Sequence, residues 1–306
     1  MTKLNQPLAV IDLGTNTFHL LIAQADSAGG FSEIFRERRF VKLAQESIDF
    51  IHPTAYQRGL TTMLDYKEIL DRHQVAQVRA FGTAALRTAQ NGIDFVREIK
   101  EKTGISIHLI DGDQEAGYIL RGVRMAIPFD ERPKLIMDIG GGSVEFLIAN
   151  ETRVFWMQSF PIGVAVLYRT FHRHEPIEEN ELLELRQFLA TQLTPLAEAL
   201  KTHPCHQLVG VSGTFDVLEN LLERASTAPT YSINKINRFP HILEQFVQAN
   251  LEERLHLKGV PPYRADMIVV AMILIDFVLN ASGFEEIWVS QYDLKEGMLS
   301  ELFESL

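Results

Sequence analysis

The sequence predicts an α/β protein made of two similar domains, and three observations carry that expectation. The chain has 306 residues, enough for two domains of ordinary size. A strand–turn–strand segment occurs twice without a gap: VIDLGTNTFHLLIA (residues 10–23) lies over IMDIGGGSVEFLIA (residues 136–149). Each copy opens its own run of strand-like segments, the second just after the Pro128 and Pro133 punctuation in AIPFDERPK. The boundary is placed there, giving domains over residues 1–127 and 128–306.

The elements follow in order. Leu8-Ala9-Val10-Ile11 reads as a buried strand, residues 12–17 as a Gly-containing turn and 18–25 as the returning strand. A turn over 26–30 leads to a third strand over 31–43. Apolar spacing predicts a helix over 54–73, with Thr54 as its N-cap. A strand over 78–82, a helix over 94–102 stopped by Gly104, a strand over 105–110 and a helix over 113–124 complete the first domain. The second restarts with a strand over 134–138, a turn over 140–143, a strand over 144–150 and a partner over 153–159. Most of the rest reads as helix, over 178–201, 215–224, 235–255, 264–279 and 294–306, with short strands over 207–211 and 286–289.

Composition narrows the class. Hydrophobic residues make up 46% and charged residues 23%, an ordinary globular balance. The net charge of −11 argues against non-specific binding to nucleic acid, so an anionic ligand would need backbone amides, a few Arg residues or a bound cation. Cys205 is the single cysteine, which excludes an internal disulfide and a Cys-based zinc site and reads as a packed or surface thiol. No signal-peptide core opens the chain, and the longest apolar run, 267–279, is interrupted by Asp276 and too short to span a bilayer. A cytoplasmic enzyme without membrane or nucleic-acid partners fits these features.

The repeated hairpin has a legible chemistry. An apolar strand carries Asp12, or Asp138, to its end. Gly14 or Gly140, next but one, lets the backbone turn tightly. Small hydroxyl-bearing or glycine residues follow, so that amides and hydroxyls can converge on phosphate oxygens. One such turn is what any hairpin uses; two, with an acid at both corresponding positions, point to a shared function.

At these residues the chain resembles the exopolyphosphatase and guanosine pentaphosphate phosphatase family, a branch of the superfamily of sugar kinases, heat-shock 70 chaperones and actin. DLGTNTFHLL (12–21) and DIGGGSVEF (138–146) look like its two phosphate loops. FGTAALRTAQN (81–91) is similar to its Thr-x-Ala-x-Arg segment. DGDQEAGYILRGV (111–123) is similar to its Ser-Gly-x-x-Glu-Ala segment, with Asp111 in place of Ser. VGVSGTFDVL (209–218), GVPPYRADMI (259–268) and VSQYDLKEGML (289–299) resemble a third Gly-containing loop and the C-terminal signatures. Lys295 stands where Arg is common, Asp293 where Gly is common, and the third loop is less Gly-rich than usual. The chain stops at Leu306, without the C-terminal helical domains of longer relatives. The resemblance implies two ribonuclease H-like (actin-like ATPase) domains with an interdomain cleft that closes on the ligand, and a homodimer.

It also implies a site. Glu115 would be the catalytic base or water-positioning group, by resemblance; on position alone it is equally a first-turn acid favoured by the helix dipole. Asp12 and Asp138 are candidates to hold a divalent cation, Mg²⁺ or Mn²⁺. Glu145 joins them because strand parity sets it against Val144 and Phe146, toward the cleft rather than the core; the alternative is a solvent-facing strand residue. Backbone amides of Gly14, Thr15, Asn16, Gly141, Gly142 and Ser143 are candidates to cradle phosphate. Arg87 is a candidate phosphate contact or a surface Arg paired with an acid. Gly213 and Thr214 lie at a strand-to-helix turn, where amides favour anions. His19, the counterpart of Glu145, reads as structural, and Arg264 with Asp266 as a structural or capping pair.

The expected activity is release of terminal phosphate from inorganic polyphosphate or guanosine pentaphosphate by Mg²⁺-assisted attack of water. Two alternatives stay open: a small-molecule kinase sharing both loops, and a non-catalytic nucleotide or polyphosphate sensor. Glu115 before Ala116 favours the hydrolase.

Overall fold

The computed structural model describes residues 6–26 and 30–305. Residues 27–29 of the expected turn, and Leu306 at the end of the last expected helix, lie outside that range. The described residues form twelve strands and twelve helices, numbered here in chain order, in two compact units: residues 1–122 with 292–306, and residues 123–291.

The first unit is built on a five-stranded sheet of order β3-β2-β1-β4-β5, from β1 (Leu8–Leu13), β2 (Thr17–Ala25), β3 (Phe31–Phe40), β4 (Gln77–Gly82) and β5 (Ile107–Leu109). β2 runs antiparallel to both β1 and β3, and β4 and β5 run parallel to β1. Alternate residues Ala9, Ile11 and Leu13, with Phe18, Leu20 and Ile22, enter one core with Leu60, Met63 and Tyr66 of α1 (Pro53–Arg72) and Phe95 and Ile99 of α3 (Gly92–Thr103). The Tyr66 hydroxyl donates to Phe18 O at 2.9 Å and ties that helix to the sheet. The intervening residues Leu8 and Val10 are buried as well. β1 is also packed by α12 (Leu294–Glu304), which is why it reads as an unbroken apolar run. α2 (Ala84–Thr88) and α4 (Gly112–Ala126) follow β4 and β5, and the division between units falls inside α4.

The second unit has a seven-stranded sheet of order β10-β11-β12-β9-β6-β7-β8. Its strands are β6 (Lys134–Ile139), β7 (Val144–Ala149), β8 (Val154–Phe160), β9 (Leu208–Val211), β10 (Glu223–Thr227), β11 (Tyr231–Lys235) and β12 (Glu286–Ser290). Its β8-β7-β6-β9-β12 part repeats the first sheet in order and strand sense, with β10 and β11 added as an antiparallel extension. The duplication holds at the level of single pairs, since Asp12 faces His19 as Asp138 faces Glu145. Both units thus carry the ribonuclease H-like sheet. Helix α11 (Ile268–Ser282) is apolar nearly all round and buried accordingly. Cys205 is a buried thiol.

Several elements differ from the sequence reading. The expected helix over 178–201 is two, α6 (Glu179–Gln192) and α7 (Thr194–Thr202), because Pro195 opens the second. Of the expected helix over 235–255, residue 235 ends strand β11 and the rest divides into α9 (Phe239–Gln248) and α10 (Leu251–Leu255), the last begun by an Asn250–Glu253 capping box. Residues 223–224, expected in helix, open β10. α1 starts at Pro53 after His52, so Thr54 is inside the helix rather than its cap. Residues 292–306 count with the first unit, not with the second as placed from sequence.

Candidate functional site

In a parallel sheet the chain delivers its loops at the carboxyl ends of the strands, and functional groups collect there. In the first unit β1, β4 and β5 are mutually parallel and end in register: Asp12 lies beside Phe81, and Gly82 beside Leu109. Thr83 N donates to Leu13 O at 3.4 Å and Ile110 N to Gly82 O at 3.1 Å, which draws the three exits together. The first loop leaves β1, Arg87 follows β4, and Glu115 follows β5.

Glu115 sits in the first turn of α4 and is 8% exposed. The turn is fixed by a reciprocal cap, in which Gln114 N donates to Asp111 Oδ1 (2.8 Å) and Asp111 N donates to Gln114 Oε1 (3.0 Å). Asp111 is thus no loss relative to Ser, because both are strong N-caps. Asp111→Ala should lower stability by about 1 kcal/mol and Asp111→Ser should restore it; equal melting temperatures for all three proteins would contradict this role.

Arg87 donates to Ile110 O and places Nη1 3.5 Å from Glu115 Oε2. Two residues expected at the site from separate motifs are therefore paired within one unit. The reading of Arg87 as a phosphate contact and as a partner of an acid are both compatible with this geometry, since the guanidinium has five donors.

The two loops share their hydrogen bonding. Gly14 N donates to Thr17 O, and Gly140 N to Ser143 O, each at 3.0 Å. The Gly14 amide, expected in a phosphate cradle, therefore closes the hairpin instead. The loop carbonyls are also tied back. Thr15 O accepts from Leu43 N (2.8 Å), and Asn16 O accepts from Val41 N (3.0 Å) and Lys42 N (2.9 Å). In the second unit Gly140, Gly141 and Gly142 O accept from Val164 N (3.0 Å), Ala165 N (2.9 Å) and Gly163 N (3.2 Å). Those donors include the first amides of α5 (Val164–Phe171), which lack partners within their own helix. Tying a turn's carbonyls to one side leaves its amide edge on the other. Thr15 and Ser143 are buried at 3% and 5%.

The acids differ between units. Asp138 and Glu145 are both buried and directly opposite on β6 and β7, and Ser159 Oγ donates to Glu145 Oε1 at 2.7 Å. The solvent-facing alternative for Glu145 is overturned, because it is 1% exposed. Asp12 instead faces His19, which faces Arg38 on β3, and Asp12 Oδ1 is buried without a hydrogen-bond partner. Burial pushes the Asp12 carboxyl up to about 7; the Lys295 charge opposes this and the Asp293 charge adds to it. A carboxyl raised on folding contributes stability that is complete below its unfolded value near 4 and is lost as pH rises through 7. In EDTA the melting temperature should fall between pH 5 and pH 8, and Asp12→Asn should flatten that fall; an unchanged slope would contradict it. Among the described residues no group of three or more His, Cys, Asp or Glu side chains comes together as a metal cluster.

The third turn holds a feature the sequence reading underrated. Ser212, between β9 and α8 (Gly213–Leu221), has φ 69° and ψ 176°, a backbone region that a residue with a side chain occupies only under strain. At Gly213 a Cβ would overlap the Arg264 guanidinium, so a larger residue there would push that side chain off the turn. Gly213 and Thr214 begin the helix and are buried. Arg264, expected in a structural or capping pair with Asp266, lies against this turn; nothing in its residue type or spacing signalled that.

The sequence profile of the Ppx/GppA phosphatase family matches residues 21–306. An exopolyphosphatase from Cytophaga hutchinsonii is similar in structure with a TM-score of 0.92 and 38% identity, over 98% of this chain and 99% of that one. A Ppx/GppA enzyme from Aquifex aeolicus is similar with a TM-score of 0.79 and 25% identity, over 97% of this chain and 99% of that one. No helix among the described residues is long and apolar enough to cross a membrane.

Proposed function

The chain belongs to the Ppx/GppA phosphatase family, and from that premise we propose that it hydrolyses a terminal phosphoanhydride of inorganic polyphosphate or guanosine pentaphosphate. The observation that carries this reading is Glu115, buried in a capped first turn and paired with Arg87 at the carboxyl ends of three parallel strands.

Hydrolysis needs neutralised phosphate charge, a water in line and a group to orient or deprotonate that water. Glu115 takes the last role. Its backbone is held by the Asp111–Gln114 cap, and its carboxylate is oriented by Arg87, which turns remaining donors toward phosphate oxygens. Thr15 and Asn16 present the amide edge of the first loop, and Gly141, Gly142 and Ser143 that of the second. Gly213 and Thr214, at the start of α8, take more distal phosphate or a nucleoside.

Asp138 and Glu145 are two buried carboxylates facing each other across antiparallel strands, an oxygen donor set of the kind a hard divalent ion takes. Mg²⁺ or Mn²⁺ would be held there and would supply charge neutralisation on the phosphate when bound. Few protein ligands suffice, because Mg²⁺ keeps several waters and phosphate oxygens in its shell.

Phosphate release should be measured with Mg²⁺ and, in parallel, long-chain polyphosphate and guanosine pentaphosphate. Release from at least one donor, without any added acceptor, is expected. No release from either, or consumption of ATP only when an acceptor is supplied, would overturn the hydrolase reading in favour of a sensor or a kinase respectively.

A further inference from the structure

Two residues that the proposed mechanism leaves unused open α12. The Lys295 ammonium donates to both Asp293 carboxylate oxygens, at 2.5 and 2.6 Å, with side chains only 7% and 14% exposed. Asp293 is also the N-cap of α12: Oδ1 accepts from Lys295 N at 3.1 Å, and Asp293 N donates to Glu296 Oε2 at 2.9 Å. Glu296 is fully buried and accepts from Arg36 Nη2 at 2.6 Å. The cap cannot retreat, because a Cβ on Gly122 of α4 would already overlap the Asp293 backbone. α12 packs on β1, the strand that carries Asp12 to the first loop, and Lys295 and Asp12 act on each other electrostatically.

The ammonium gives its hydrogen bonds to Asp293 and lies in electrostatic reach of Asp12, on the strand against which α12 packs. A charge held against its counter-charge has a short reach, whereas the same ammonium on its flexible four-carbon stem, released, would act at the first loop. We propose that Asp293 is a specificity-determining residue: by holding Lys295 in the cap of α12 it withholds a positive charge from the first phosphate loop and weakens the hold on polyanionic donors. This rests on the reading of that loop as a phosphate contact.

The test is calorimetric binding of inorganic tripolyphosphate with Mg²⁺, in a Glu115→Gln parent so that the anion persists. Asp293→Asn keeps shape and cap while removing the charge, and Asp293→Ser is a second capping variant in case the first folds poorly. Each should bind tripolyphosphate about fivefold more tightly than the parent, the effect of one screened charge. Adding Lys295→Met should abolish that gain when compared with Lys295→Met alone. No gain in either variant, a gain that survives Lys295→Met, or a parent that binds no tripolyphosphate would each overturn the proposal. Phosphate release by the unmutated protein reports separately on the hydrolase reading, so the two fail distinguishably.

Discussion

Glu115→Gln should reduce phosphate release by about a hundredfold to ten-thousandfold, the range that a positioned acid or base contributes. The substitution keeps the shape and an oxygen beside Arg87, and removes the ability to take a proton from water. The Asp111–Gln114 cap does not involve the Glu115 side chain, so the melting temperature should stay within a few degrees. Binding of the phosphate donor should weaken little, so the loss should appear in kcat rather than KM. A variant with near-normal turnover would remove Glu115 from the chemistry and return it to the role of a first-turn acid beside a helix dipole.

The second large effect is expected far from any proton. Gly163 precedes α5, and a Cβ there would overlap the backbone of Gly141 and Gly142, with no flexible side chain able to give way. The same residue donates from its N to Gly142 O. Its φ of −60° and ψ of 163° are open to any residue, so the requirement for Gly is one of space and not of conformation. Gly163→Ala should displace the second loop, costing about 1–3 kcal/mol in stability. Activity should fall by about a hundredfold, the effect of a misplacement near 1 Å at a reacting site. Gly117→Ala is the contrast. That glycine lies exposed in α4, two residues from Glu115, and a Cβ there meets nothing within 4 Å. Ala at 117 should stabilise by about 0.5–1 kcal/mol. Equal behaviour of the two variants, in melting temperature and in turnover, would refute the account of the second loop.

What was legible in the sequence follows from what is local. An apolar run ending in Asp, a Gly two residues on and a returning strand leave few structural choices, so both hairpins are where they were expected, with matching Gly14 and Gly140 bonds. Gly104, with φ 74°, stops α3 as read. The β10–β11 hairpin was missed because every β10 residue is exposed and lacks the alternation that marks a half-buried strand. The break at Leu193 was passed over because the apolar spacing continues across Pro195 into α7.

The placement of α12 is the larger lesson. Its sequence shows a helix but not which sheet it covers, and only packing against β1 brings Lys295 and Asp293 into electrostatic reach of Asp12. Strand parity set Glu145 on the side away from Val144 and Phe146, which enter the core. Parity says nothing of what covers that side, and the residue is buried where exposure remained an alternative. The approach of Arg264 to Gly213 joins segments some fifty residues apart, a contact that no local pattern encodes.

The central claim is that water, positioned by Glu115, attacks the terminal phosphate. Turnover of polyphosphate or guanosine pentaphosphate in water enriched in oxygen-18 tests it directly, with the released phosphate analysed by mass spectrometry. The account expects one solvent oxygen in each phosphate released from the unmutated protein, at a rate that collapses in Glu115→Gln. Phosphate released without solvent oxygen, or labelled at an undiminished rate by Glu115→Gln, would contradict it.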